Sequence, residues 1–383
     1  MSNTWWRDED ELAKEQSDLL EVPAEQSLLI KGPPGSGKTN LLLLRANQLF
    51  LGDHPNLFVV VFGSLLKNFI QIGGAQYKFP ADKVVTHTSL FKMILRLEGA
   101  DFDDENLSLE VARKRRADVL EELIEKGQVG AQFDALLLDE AQDYTPQEIR
   151  LLSKLTSVLV ATADSRQRVY DIEDCSEELG KSVQIEYQLT YHFRNGRDIC
   201  RVADGIYKGS PQYAPMLPHS NYPEADYPSK ATPKDGLPLH DQISAMVAQI
   251  RDQRFAYPDD LIGVLAPRNA ELNLIEQGFI DSGLGDLITR ANASNRFEPS
   301  RRIWLSTLTA AKGLEFRAVH IAGLEHLSKM GRVQKRLIFT GVTRAKTALT
   351  CYWHESVPGY FESACRSVVE TPKIVTRKSI FGN

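Results

Sequence analysis

The chain has 383 residues, is 42% apolar and 25% charged, and carries a formal net charge of −6. That length and balance fit a globular protein with room for two domains, and no apolar run reaches the ~18 residues of a membrane span. The negative charge excludes nucleic-acid binding by bulk attraction, so any such contact needs a local groove. Cys175, Cys200, Cys351 and Cys365 form no C-x-x-C pair, which argues against a zinc or iron–sulfur site and for buried thiols. Residues 1–16 are acidic and have neither the positive nor the apolar region of a signal peptide. The expected location is cytoplasmic, with no membrane partner.

In chain order, Leu28, Leu29 and Ile30 predict a short buried strand, residues 41–50 a helix and residues 57–62 a second buried strand. Residues 135–138 and 158–161 read as further strands. Short apolar strands between helices predict an α/β fold with mostly parallel sheets covered on both faces. A second α/β run starts near residue 186. There Ile243, Met246, Val247 and Ile250 follow helical spacing, and residues 261–265 and 319–321 look like strands. Two tandem cores are expected, 1–185 and 186–371, with a tail at 372–383. A charged helical insertion is expected at about 92–132; it contains Arg113, Lys114, Arg115 and Arg116, the best basic cluster. Residues 208–239 hold seven prolines and two glycines, which predicts an irregular connector without regular structure.

Gly32, Pro33, Pro34, Gly35, Ser36, Gly37, Lys38 and Thr39 fit the phosphate-loop pattern G-x-x-x-x-G-K-[ST], with a strand before and a helix after. Glycines let backbone N–H groups turn toward phosphate oxygens at a positive helix N-terminus. Lys38 would meet the β- and γ-phosphates of ATP, and Thr39 would offer a hydroxyl to Mg²⁺. Downstream, the strand Leu136-Leu137-Leu138 delivers Asp139 and Glu140 at its C-terminal end, where ligands bind in α/β sheets. Asp139 is expected to hold Mg²⁺ and Glu140 to accept the proton of the attacking water.

The order GPPGSGKT, then Asp139-Glu140-Ala141-Gln142-Asp143, resembles the UvrD/Rep-like superfamily 1 DNA helicases, and further motifs of that family follow in order. The resemblance implies two tandem RecA-like P-loop NTPase cores and ATP hydrolysis between them. Gln16 resembles the adenine-reading glutamine. Phe62, after a strand, and Thr86, before His87 and Thr88, resemble single-strand-contacting positions, although the family usually places an aromatic and then His after that Thr. Asp164, Gln167 and Tyr170 resemble G-D-x-x-Q-x-x-Y, with Ala163 in place of Gly and no Trp after the Tyr. Gln167 is implied as a γ-phosphate sensor and Tyr170 as a base-stacking contact. Leu189 to Asn195 resembles L-x-x-N-Y-R-S, which implies that Phe193 stacks on adenine and Arg194 reaches the γ-phosphate. Thr307 to Phe316 resembles T-x-H-x-x-K-G-L-E-F with Thr309 in place of His. Thr307 and Lys312 are then implied at the DNA backbone, with Gly313 and Glu315 at the nucleotide. Phe339 to Lys346 resembles Y-V-A-x-T-R-A-K, with Arg344 as the second γ-phosphate arginine.

Only about 43 residues separate Ser89 from Phe133, and about 117 separate Arg194 from Lys312, so the family's large duplex-holding insertions are reduced. Three readings follow. One is a translocase or helicase on single-stranded DNA or a single-strand/duplex junction. Another is a DNA-stimulated ATPase switch that serves a nuclease or another subunit of a repair or phage-defence complex. The third is a degenerate scaffold, disfavoured because every residue that hydrolysis needs is present.

Overall fold

The computed structural model describes residues 11–63, 67, 77–167, 172–211, 213–290, 298 and 300–369. The first lobe runs α1 (Lys14–Leu20), β1 (Leu28–Lys31), α2 (Lys38–Leu51), β2 (Leu57–Val61), β3 (Val84–Thr86), α3 (His87–Leu97) and α4 (Leu109–Glu125). It continues through β4 (Phe133–Leu138), α5 (Pro146–Lys154), β5 (Thr156–Ala163), α6 (Ser176–Lys181) and β6 (Ile185–Gln188). Its strands form one parallel sheet in the order β3-β2-β4-β5-β1-β6. Period-two alternation splits the apolar side chains between its faces. Leu29, Val60, Leu136, Leu138 and Leu159 pack in one cluster, and Leu28, Ile30, Val59, Leu137 and Val160 in the other. A sheet buried on both faces needs this double apolar supply.

The second lobe runs α7 (Arg197–Ile206), β7 (Lys230–Lys234), α8 (Leu239–Ala256), β8 (Ile262–Ala266), α9 (Asn269–Asp281) and β9 (Ile288–Arg290). It closes with β10 (Ile303–Thr307), β11 (Phe316–Ile321), α10 (Gln334–Val342), β12 (Ala345–Tyr352) and α11 (Gly359–Val369). These strands make a second parallel sheet, β7-β12-β11-β8-β10-β9. The α/β class and the tandem parallel-sheet cores are as expected. No helix among the described residues is long and apolar enough to cross a membrane.

Two expectations need correction. The first sheet does not end at residue 185, because β6 pairs with β1 through Gln188. The 208–239 segment is not wholly irregular, because Lys230–Lys234 forms the edge strand β7 beside β12. Pro233 is tolerated there because an edge strand leaves one side of its backbone without a ladder partner. Within the expected insertion, α4 is capped by Ser108, whose Oγ accepts from Val111 N at 3.3 Å. All four cysteines are buried and none forms a disulfide.

Candidate functional site

The loop between β1 and α2 holds Gly35 and Gly37 at φ 75° and 85°, a left-handed region that only glycine enters at little cost. A Cβ on Gly35 would lie 2.5 Å from Arg194 Cβ, and one on Gly37 would lie 2.8 Å from Gln16 Nε2. The loop is therefore held from both sides. Ser36 Oγ donates to Pro33 O at 2.9 Å, and the Lys38 ammonium donates to Gly32 O and Pro33 O, each at 2.9 Å. Burial pulls the Lys38 pKa down, while Asp164 and Glu140 pull the other way.

Opposite this loop, β4 delivers Asp139, which is 1% exposed. Its carboxylate accepts from Thr39 Oγ1 at 3.0 Å and from Thr162 Oγ1 at 2.6 Å. Burial, and then Glu140, push its pKa up. Glu140 is the one non-glycine residue with positive φ among those described, at 51°, a conformation that costs about 1–3 kcal/mol and clusters at functional sites. Its N–H donates to Thr162 Oγ1 at 3.1 Å, and its carboxylate accepts from Gln142 Nε2. Burial opposes ionisation of Glu140, but Lys312, Lys38 and Arg344 hold its pKa below the usual range. A buried carboxylate beside a hydroxyl gives the hard oxygen donors that suit Mg²⁺, and the adjacent ionised Glu140 suits a proton acceptor.

The second lobe closes over this surface. Arg194 pairs with Glu315, which also pairs with Lys346 at 3.0 Å. Arg344 is 1% exposed. Its guanidinium donates to Thr340 O and Leu314 O, each at 3.0 Å, and across the cleft to Gln167 Oε1. Gln167 Nε2 donates to Asp164 Oδ2 at 2.9 Å. Burial, and then the like charge of Arg194, disfavour the Arg344 cation. The crossover segment is stitched to both lobes: Leu189 N donates to Lys31 O at 2.8 Å, Phe193 N to Gly35 O at 3.0 Å and Gly196 N to Lys346 O at 3.0 Å.

Between the lobes lies a cavity of about 280 Å³. The expected residues Gln16, Pro34, Gly35, Gly37, Lys38, Thr39, Glu140, Gln167, Phe193, Arg194, Gly313, Glu315 and Arg344 line it. Gly32, Pro33 and Ser36 brace the loop behind, and Asp139 sits behind Thr39. Gln16 is turned onto its own chain. Its Oε1 accepts from Ala13 N at 3.0 Å to cap α1, and its Nε2 donates to Ser36 O at 2.9 Å. Sequence reasoning missed Asn40, Tyr222, Pro223, Tyr227, Arg317 and Lys346, which also line the cavity. Tyr222 and Tyr227 come from the proline-rich connector, where no periodicity marks a site; the Arg317 guanidinium lies 4.7 Å from the Tyr227 ring centre.

The expected nucleic-acid residues divide. Phe62 directly follows β2, stacks on His87 at 5.5 Å and lies 4.9 Å from the Arg113 guanidinium. Thr86 caps α3, accepting from Ser89 N at 3.1 Å, and Thr307 accepts from Ala310 N at 3.2 Å. Tyr170 lies outside the described residues. Lys312 does not face an open backbone groove. Its ammonium crosses to the first lobe and donates to Asp143 Oδ2 at 2.6 Å and Gln167 O at 2.9 Å, 3.5 Å from Glu140 Oε2. The buried Asp143 carboxylate needs a counter-charge, and Lys312 supplies it. Nor is the 113–116 run a free basic patch. Arg113 pairs with Glu148, Lys114 with Asp118 and Arg116 with Asp104, and Arg115 lies over Phe102.

Residues 302–352 match the family model of the UvrD-like helicase C-terminal domain. A probable DNA helicase of Mycoplasma pneumoniae is 25% identical over 64% of this chain and 49% of its own length, so the chain spans about half of that curated relative. The structure of the PRRSV helicase covers 88% of this chain and 54% of its own at 14% identity, with a TM-score of 0.43. The C-terminal domain of a possible DNA helicase from Lactobacillus plantarum covers 46% of this chain and 96% of its own at 18% identity, with a TM-score of 0.33. Both scores lie below 0.5; the chain's own two sheets define its fold. That fold sets a G-x-x-x-x-G-K-[ST] loop at a cleft between two parallel-sheet lobes. The match to the UvrD-like helicase C-terminal domain falls on β10, β11 and β12 of the second lobe.

Proposed function

We propose that this chain is an ATP-driven motor that moves on single-stranded DNA, with hydrolysis at the cleft between its lobes. The observation that carries this reading is convergence: Lys38 and Glu140 from the first lobe and Arg194 and Arg344 from the second line one cavity. Lys38 meets the triphosphate as a point charge. Thr39 and Asp139 would hold Mg²⁺, which supplies charge neutralisation at the phosphates. Glu140 takes the proton of the attacking water, and both arginines meet charge that develops on the γ-phosphoryl group. Phe193 would stack on a base and Glu315 would meet a ribose; Gln16 would read the base once it releases Ala13 N and Ser36 O. Gln167, bonded to Arg344, carries the state of the γ-phosphate across the cleft, so nucleotide turnover opens and closes the lobes. Phe62, Thr86 and Thr307, with Tyr170, would contact the strand.

A second reading is a DNA-stimulated ATPase switch in a nuclease, repair or phage-defence complex. The pairing of Arg113 and Arg116 inside the first lobe favours it, because it takes half of the best basic cluster out of reach of DNA. The test of the shared chemistry is ATP turnover with and without oligo(dT). Glu140→Gln should bind nucleotide normally and lose about 10²–10⁴-fold in turnover. Native turnover by that variant would remove Glu140 from the role of base.

A further inference from the structure

The helix α4 occupies the place of the expected insertion, yet its first two turns reach into the hydrolytic lobe. Arg113 Nε donates to Glu148 Oε1 at 2.6 Å, and its Nη2 donates to Glu148 Oε2 and, at 2.7 Å, to the backbone oxygen of Asp143. The Cζ of the same guanidinium lies over the Phe62 ring, 4.9 Å from its centre. On its far side, Asp143 N donates to Glu140 O at 3.0 Å. Asp143 Oδ2 holds Lys312, while its Oδ1 is buried without a hydrogen-bond partner. One rigid planar group thus touches the aromatic ring at the end of β2 and the turn that carries Glu140.

We propose that Arg113 is a positioning residue that couples strand occupancy at Phe62 to the Glu140 turn through the Asp143 backbone. The inference rests on the DNA-stimulated hydrolysis proposed above. A base or sugar that settles on Phe62 shifts the ring. The ring rests on the guanidinium, and the guanidinium fixes the Asp143 carbonyl. That carbonyl belongs to the 3₁₀ turn 141–143, so its displacement moves Glu140 and the Lys312 contact together. A purely structural role would need only the positive charge that neutralises Glu148. Coupling needs the fork and the face, which lysine lacks.

The experiment titrates oligo(dT) into the full chain and its Arg113→Lys variant. ATP turnover is read alongside strand affinity by fluorescence anisotropy and melting temperature. Arg113→Lys should keep basal turnover and strand affinity within about threefold, while stimulation at saturating oligo(dT) falls at least about fivefold. Stimulation at the parent level would overturn the inference, as would a loss that merely tracks strand affinity. A parent protein without any stimulation would instead overturn the functional reading beneath it. Should the lysine variant not fold, Phe62→Leu decides: it keeps apolar burial without the ring face. It should also lose stimulation at saturating strand, and retained stimulation would overturn the coupling.

Discussion

Arg344 shows how one side chain serves both lobes. Its fork is spent on Thr340 O, Leu314 O and Gln167 Oε1, so it is aimed at the cleft before any anion arrives. On the proposed function, Arg344→Ala should lower kcat by at least about 10²-fold with ADP affinity little changed, because the guanidinium would meet the γ-phosphoryl group and no part of ADP. An equal loss of ADP binding, measured by calorimetry, would make it a structural residue of the second lobe. His320 gives a pH prediction. It is wholly buried, with Nδ1 2.9 Å from Tyr352 Oη and Nε2 2.8 Å from Gln253 Oε1, and burial pulls its pKa down to about 3. A folded pKa below the unfolded value means that stability is complete above pH ~6.5 and falls as pH drops toward 3, by up to about 1.4 kcal/mol per unit. His320→Gln should flatten the melting profile between pH 6 and 4 by about one proton; an unchanged slope would show that His320 is not neutral in the fold. The residues that line the cleft were legible because their strings are long and ordered. The Lys312 ion pair was not foreseen, because its partner Asp143 lies 169 positions away in sequence and nothing local indicates that pairing.

At the scale of elements, the buried strands were legible from apolar runs bounded by helices, and their ends shifted by a few residues. β6 was missed because its burial alternates and half its side chains are polar, as suits an edge. β7 was missed because its lysines and Pro233 suit only an edge strand, which protects itself from further pairing in this way. The helix α4 teaches a similar lesson: four consecutive basic residues point in different directions around a helix, so each finds its own partner. Arg116 is nearly buried against Asp104, whereas Lys114 is 72% exposed. Arg116→Ala should lower the melting temperature by roughly 3–6 °C, and Lys114→Ala should leave it nearly unchanged. Equal effects in thermal melts would show that the run acts as a single charged surface after all.

For the whole molecule, if it is the motor proposed above, net charge and reduced insertions decide how much work it does alone. Opening duplex DNA costs about 1.4 kcal/mol per base-pair step, which demands firm single-strand grip and a surface that splits the duplex. With a net charge of −6 and Arg113 and Arg116 paired inside the lobe, the isolated chain should hydrolyse ATP on single strands yet unwind long blunt duplex poorly. Unwinding should grow when a natural partner is added. A displacement assay on tailed and blunt duplexes at ~100 mM salt measures this; efficient processive unwinding by the lone chain would sink the reduced-motor reading.

The crossover between the lobes carries one more consequence. Residues 189–196 bond to the first lobe at Lys31 and Gly35 and to the second at Lys346, and they carry Phe193 and Arg194 into the cavity. This stretch is not a tether that could be lengthened or exchanged without loss. A chimera joined anywhere within it would inherit the two halves of the nucleotide wall from different parents, and both would have to agree on the same eight residues. The lobes are separate folds, but they are not separable modules: whatever history duplicated or recombined them had to keep the seam with its neighbours on both sides.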